Sequence, residues 1–321
     1  MCKKSFGALP NIDSLRIYDY EQLPKKEMPS GASSIKEYTI PEDRLPRVLN
    51  QGKVGSCVAH SVIEVLEVLN YVETGEKICL SPGYFYGHNR SETSVTSGML
   101  TSDAIERTRQ HGSVLETMFN EHTEMPEIKK IVNARPELEE YAAKYKIASY
   151  VTFKNERKDE KWSKIKEAFL TYNIPMVAVA PSYFGESHCI VLIGFDETDN
   201  IRKLKFQNSW GESYGDNGRG SIDFDKISSV YLLFDETITL PFDDVPESAW
   251  YYKNILNLYS AGLINGVSKT EFNPEGNVTR AELCAIIDRV LKNIDKKDDA
   301  MINSIYDYID RKISITESKI R

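Results

Sequence analysis

A thiol is the strongest nucleophile among the common side chains, but only as thiolate, so a cysteine that does chemistry needs something nearby to lower its pKa. Cys57 stands where an apolar stripe of helical spacing begins, with Val58, Val62, Val65, Leu66 and Leu69 at intervals of four, three, one and three. A helix opening there would put its positive end beside the sulfur. His188 comes 131 residues later, directly before the apolar run Cys189 to Ile193, where its ring could be held at a strand edge facing a cleft. Asn208 follows after a further 20 residues and, with Ser209-Trp210-Gly211, opens a glycine-rich loop. Cysteine, histidine and asparagine in that order supply a nucleophile, a base and an amide that can orient the base.

These residues need elements to hold them. The first forty residues are rich in Pro, Ser, Gly and charge and read as an irregular arm. A helix is expected from Cys57 and a second over Ser102 to Arg109, while the charged stretch Pro126 to Lys144 reads as helical and exposed. From Ile147 the texture is β-like, with strands over Ile174 to Val179, Cys189 to Ile193 and Lys203 to Phe206, and again from Ile222 to Leu240. Four glycines between Gly211 and Gly220 imply a tight loop. The expected order is helices first and strands second, an α+β domain.

Composition bounds the rest. The chain has 321 residues, 40 Lys+Arg against 48 Asp+Glu, a formal charge of −8 and a pI near 5.4. With 41% hydrophobic and 27% charged residues it reads as a soluble globular chain long enough for two domains. An acidic balance argues against nucleic acid as a general partner. The longest apolar run, Cys189 to Phe195, is far below the ~20 residues of a membrane span. Met1 to Leu15 lacks the apolar stretch of a signal peptide, so no export signal is expected. Five scattered cysteines, an odd number, argue against a disulfide framework.

Three blocks together resemble a known family. Gln51-Gly52-Lys53-Val54-Gly55-Ser56-Cys57, Ser187-His188-Cys189-Ile190-Val191 and Asn208-Ser209-Trp210-Gly211 are similar, in order, to the catalytic blocks of the papain-like cysteine peptidases. The resemblance covers roughly residues 35 to 238. Leu80-Ser81-Pro82 followed by Tyr84 and Tyr86 is similar to a segment of bacterial members. It implies a two-lobed α+β fold, one lobe helical and the other β-barrel-like, a polypeptide substrate and no cofactor. Position by position it implies that Cys57 is the nucleophile, His188 the base, Asn208 its orienting partner and Trp210 the shield over that pair. Gln51 would join the backbone N–H of Cys57 in an oxyanion hole, and Gly98 would line the substrate cleft. Acyl transfer to an amine would use the same residues.

Departures from the family are visible. Val54 replaces a disulfide cysteine, which fits a reducing compartment or a bacterial lineage without the bridge, Val58 replaces an aromatic beside the nucleophile, and Tyr214 replaces a tryptophan. His60, three residues after Cys57 on the same helical face, competes as a base, and is read as a core residue because the family has an interior aromatic there. His88, His111 and His122 have no cysteine or carboxylate at ligand spacing, so no metal site is expected. Cys79, Cys189 and Cys284 read as small buried hydrophobes.

At Pro241 the pattern changes. Tyr252, Ile255, Leu258 and Tyr259 form a helical stripe ending at Gly262, and Thr279-Arg280-Ala281-Glu282 is a capping box for a second helix with Leu283, Ile286, Ile287, Val290 and Leu291 on its buried face. Phe242-Asp243-Asp244-Val245, Trp250, Ala261 to Gly266, Phe272-Asn273-Pro274 and the capping box resemble one S-layer homology (SLH) repeat over residues 241 to 292. That resemblance implies a small all-α module binding cell-wall polysaccharide through Trp250 and Arg280. The expected organisation is an N-terminal arm over 1–34 acting as a short pro-segment, a peptidase domain over 35–240, the repeat over 241–292, and an amphipathic helix over 293–321. Such repeats usually come in threes, so a single copy points to a homotrimer. The wall module argues for the cell surface and the missing signal for the cytoplasm. The competing reading is a non-catalytic surface or assembly protein that reuses the fold.

Overall fold

The computed structural model describes residues 8–9, 34–90, 98–153, 157–235, 240–246, 248–260 and 263–289. The described residues fall into two compact units, one running through residue 235 and the other beginning at residue 240.

In chain order the first unit holds β1 (Ala8–Leu9), β2 (Glu37–Thr39), α1 (Cys57–Thr74), α2 (Pro82–His88), β3 (Met99–Leu100), α3 (Thr101–Gln110), α4 (Glu127–Asn133), α5 (Leu138–Ala142), β4 (Ser149–Thr152), α6 (Lys158–Tyr172), β5 (Met176–Ala180), β6 (His188–Asp196), β7 (Lys203–Gln207), β8 (Arg219–Asp223) and β9 (Ser229–Phe234). The helix expected at Cys57 is α1, and every residue from Cys57 to Leu69 is buried. Helix α1 runs through the interior, so it buries more than one stripe. Gly75 ends it in the left-handed conformation, φ 76°, its N–H reaching the Tyr71 carbonyl.

Two carboxylates on α1 are buried and partnered. Glu67 accepts from Arg47 Nε at 3.0 and 2.9 Å and from the Leu80 N–H at 2.7 Å, while Arg47 also reaches Glu116 at 2.9 Å. Glu64 accepts from Gln207 Nε2 at 3.1 Å, and burial pushes its carboxyl up to about 8.

Two expectations about the helices need correction. The stretch Pro126 to Lys144 divides into α4 and α5 with Pro136 between them, and Ile128, Val132, Leu138 and Ala142 are buried, so it is not an exposed helix. Helix α6 interrupts the region read as strands. Trp162, Ile165 and Phe169 recur at three and four residues and are buried, and α6 packs on β6 through Trp162 and Phe169 against Phe195.

Seven of the described strands form one sheet in the order β4-β9-β5-β6-β7-β8, with β2 added beside β6 and every pair in it antiparallel, while β1 and β3 form a separate parallel pair. The first half of β6 pairs with β5 and its last three residues with β2, the register to β7 shifting between Leu192 and Gly194. A Cβ at Gly194 would lie 2.1 Å from the Tyr38 carbonyl oxygen, so only glycine admits β2 at that distance. The described strands β5 and β6 are buried almost throughout, as a central strand pair covered by helices should be.

The second unit contains α7 (Tyr252–Ser260) and a helical stretch over residues 280–289. The capping box forms as expected: Glu282 N–H donates to Thr279 Oγ1 at 3.2 Å and Thr279 N–H to the Glu282 carboxylate at 2.8 Å. The core is Leu240, Phe242, Val245, Ile255 and Ile264, with Tyr259, Phe272 and Ile286 packed on it. Here the sequence expectation fails in part. Leu283 is 51% and Ile287 49% exposed, and of that face Ile286 alone among the described residues packs on the core. Val290, Leu291, Gly262 and the expected helix from Ile302 to Ile313 lie outside the described residues. Among the described residues no helix is long and apolar enough to cross a membrane.

Candidate active site

Cys57 is the first residue of α1 and fully buried, so the N-terminal end of an 18-residue helix points at its backbone. Helix α1 packs on β6, which begins with His188. His188 Nε2 lies 2.8 Å from Asn208 Oδ1, and both residues are buried. An amide oxygen only accepts, so Nε2 carries the hydrogen and Nδ1 is the basic nitrogen.

Aromatic rings enclose this pair. Trp210 lies 4.8 Å from the imidazole between centroids, and Phe184 meets it edge-on at 4.9 Å and packs on Trp210 at 5.3 Å. Tyr214 leans on Trp210 at 5.3 Å, and burial raises its phenol pKa. Sequence reasoning named Tyr214 only as a departure and missed Phe184. The signal available for Phe184 was an aromatic pair, Tyr183-Phe184, in an otherwise small and polar segment just before His188.

Gln51 is buried and bound to the residues that follow Asn208. Its N–H donates to the Ser209 carbonyl at 2.9 Å, and Ser209 Oγ donates to Gln51 Oε1 at 2.6 Å. That fixes the amide, whose Nε2 donates to the Val54 carbonyl at 2.9 Å. The neighbouring Asn50 bridges to Trp210. Glu124, which the sequence did not single out, accepts from the Gly55 N–H at 3.1 Å, two residues before the thiol.

His60 sits apart from the His188–Asn208 pair in hydrogen bonding. Its Nδ1 donates to the Ser56 carbonyl at 2.9 Å and its ring packs against His122 at 4.9 Å. Burial, helped by the charge of His122, pushes its pKa down to about 3, so it is neutral. Gly98 precedes β3, and β1 runs parallel to β3 with Ala8 opposite Met99. Trp250, 85% exposed, and Arg280, also exposed, lie in the second unit. Cys57, Cys79, Cys189 and Cys284 all carry thiols rather than disulfides, and Cys79 and Cys284 are exposed, which corrects their reading as buried hydrophobes. The fold also gathers His88, His111 and Glu139, with one ligand atom from each within 4.8 Å of the others.

Residues 36–228 match the papain family cysteine protease domain. The chain belongs to the papain family. Residues 241–284 match the S-layer homology domain, so the papain-family domain is followed by an SLH domain. The chain is 23% identical over 184 residues to a viral cathepsin of Adoxophyes honmai nucleopolyhedrovirus, covering 55% of this chain, and it spans about half of that relative, 53%. Among solved structures, xylellain, a cysteine protease from Xylella fastidiosa, superposes with a TM-score of 0.55 at 16% identity, covering 74% of this chain and 99% of its own. Digestive procathepsin L 3 of Tenebrio molitor gives 0.53 at 13% identity, covering 71% and 75%. These likenesses establish the papain-like α+β fold.

Proposed function

We propose that the chain is a cysteine endopeptidase in which Cys57 is the nucleophile and His188 the base. Cys57 Sγ attacks the scissile carbonyl as its proton passes to His188 Nδ1, and that proton then goes to the leaving amine, leaving an acyl thioester that water hydrolyses. Asn208 orients the imidazole through the 2.8 Å bond to Nε2, and Trp210 shields it. The developing oxyanion accepts from the Cys57 N–H and the Gln51 amide, whose orientation Ser209 and Val54 fix. The His188–Asn208 bond inside its aromatic enclosure carries this reading, because a scaffold retired from catalysis has no physical need for it.

The arm acts as a local restraint: β1 lies beside Met99, next to Gly98 of the cleft wall, where a bound segment competes with substrate. The SLH unit takes an anionic cell-wall polysaccharide, with Arg280 supplying charge and Trp250 a stacking face. Leu283 and Ile287 are covered when three copies associate, which multiplies the weak affinity of a single repeat.

Labelling with an epoxide thiol inhibitor, alongside hydrolysis of a peptide series, tests the catalytic reading. Stoichiometric labelling of Cys57 that abolishes hydrolysis supports it, and a folded chain that neither labels nor hydrolyses favours the non-catalytic surface protein. Deletion of residues 1–33 should raise kcat/KM for a small peptide. Sedimentation equilibrium of the full chain tests the trimer, which a monomer at micromolar concentration rules out.

A further inference from the structure

Along the chain, His88, His111 and Glu139 are 23 and 28 residues apart, too far to suggest a common ligand. The fold brings them together because α2 ends at His88, His111 caps the C-terminal end of α3, and Glu139 lies in the first turn of α5. We propose that this cluster is a divalent cation site of the zinc class, with one nitrogen from each histidine, one Glu139 oxygen and a water completing a tetrahedron. Imidazole with a carboxylate suits zinc in preference to magnesium or calcium.

The distances are close to what such a site needs. Zinc bonds of about 2.0–2.1 Å put tetrahedral ligand atoms roughly 3.3 Å apart. His111 Nδ1 and Glu139 Oε1 are 3.0 Å apart, and the widest separation in the trio is within 4.8 Å, a gap that a small swing of the His88 ring closes. The two imidazoles meet edge-on, their centroids 4.9 Å apart.

The surroundings of His88 prepare it as a ligand. Asn89 is fully buried, and its Nδ2 donates to the Gly112 carbonyl at 2.7 Å, an acceptor that fixes the amide. Its Oδ1 therefore faces His88 Nδ1 at 3.3 Å and takes the hydrogen there, so the lone pair is on Nε2. Tyr84 stacks on the ring at 5.2 Å and holds its plane.

The charge around the site favours a cation. His111 sits at the negative end of α3, and the Glu139 carboxylate lies beside it. Arg107 donates to the His88 backbone carbonyl at 3.3 Å. The side chains of His111 and Glu139 are 25% and 58% exposed, so an ion can enter from solvent. A bound ion would tie α2, α3 and α5 together.

The test uses the full-length Cys57→Ala chain, so that the active-site thiol cannot compete, stripped with a chelator and titrated with Zn²⁺ by calorimetry. One equivalent is expected, with a rise in melting temperature. His111→Asn should weaken binding by more than tenfold and remove the thermal shift, and Glu139→Gln should weaken it about tenfold or more. Cobalt in place of zinc gives a second readout that needs no variant: nitrogen and oxygen ligation without sulfur-to-metal charge transfer is expected. No binding, equal affinity in all three proteins, or a thiolate charge-transfer band from Cys79 or Cys284 overturns the site.

Discussion

Two helices that look alike in sequence end up in opposite situations. Helix α1 and the helical stretch over 280–289 both carry an apolar stripe, yet Val62, Ile63 and Val65 are wholly inaccessible while Leu283 and Ile287 are about half exposed. The first helix is overlaid by a seven-stranded sheet, and its buried carboxylates are matched one by one, Glu64 to Gln207 and Glu67 to Arg47. The second has a small core, anchored where Asp244 accepts from the N–H groups of Phe272 and Asn273 at 2.9 and 2.6 Å. An apolar stripe specifies that a face will be covered. It does not say whether the cover comes from the same fold or from outside it.

The largest effects should come from residues at the sheet–helix seam. Cys57→Ala is expected to reduce hydrolysis to background and His188→Ala nearly so, whereas His60→Phe keeps most of the activity. Loss of activity in folded His60→Phe, checked by circular dichroism, would show that the wrong histidine had been chosen. Gln51→Ala should lower kcat by about 10²–10³ as an oxyanion donor is removed.

Next in size is core packing. Ile63→Ala should cost about 2–5 kcal/mol in urea unfolding. In the C-terminal unit Ile287→Ala should cost less than about 1 kcal/mol at concentrations where the chain is monomeric. A large penalty there at low concentration would mean that the unit covers this face itself, and the contrast drawn above would collapse.

A subtler prediction concerns pH. Burial raises Glu64 from an ordinary carboxylate value to about 8 in the fold, so its neutral form is favoured, and its contribution to stability is complete below about pH 4.5 and lost as pH rises to about 8. His60 behaves in the opposite sense. Its pKa falls from 6.5 to about 3, so its contribution is present above pH 6.5 and lost as pH drops toward 3. Melting curves of Glu64→Gln should lose part of the alkaline decline expected of the wild type between about pH 5 and 8, the rest belonging to Glu67, which burial raises to about 7, and those of His60→Phe should lose part of the acid decline. An unchanged alkaline limb in Glu64→Gln would mean that Glu64 is ionised in the fold.

Much of this arrangement was legible before any coordinates. The α1 stripe, the β5 and β6 runs and the Thr279–Glu282 box are local patterns, and local patterns survive folding. Helix α6 was missed because its polar face, Lys158, Asp159, Glu160 and Lys164 among others, dilutes a short stripe that sits between two strands. The packing of Phe184 on His188 and Trp210 was not legible, since it depends on loops returning to the same place. The His88–His111–Glu139 cluster depends on three helix ends converging, which no spacing rule detects. Cys79 and Cys284 were misjudged because cysteine is usually buried, and only tertiary structure shows where it is not.

The four consecutive residues from Gln207 to Trp210 each hold a different distant part of the site. Gln207 bonds Glu64 and the Arg47 carbonyl, Asn208 bonds His188, Ser209 bonds Gln51, and Trp210 bridges Asn50, with chain separations of 143, 160, 20 and 158 for the bonds to Glu64, Arg47, His188 and Gln51. Contacts that close such long loops form late, after the entropy of closure has been met by other structure. Competence to react with an active-site-directed epoxide, which unfolded thiols do not share, should therefore be the last property to return during refolding, after helical signal has recovered. A chain still emerging from the ribosome would therefore lack the assembled site until residue 210 is in place.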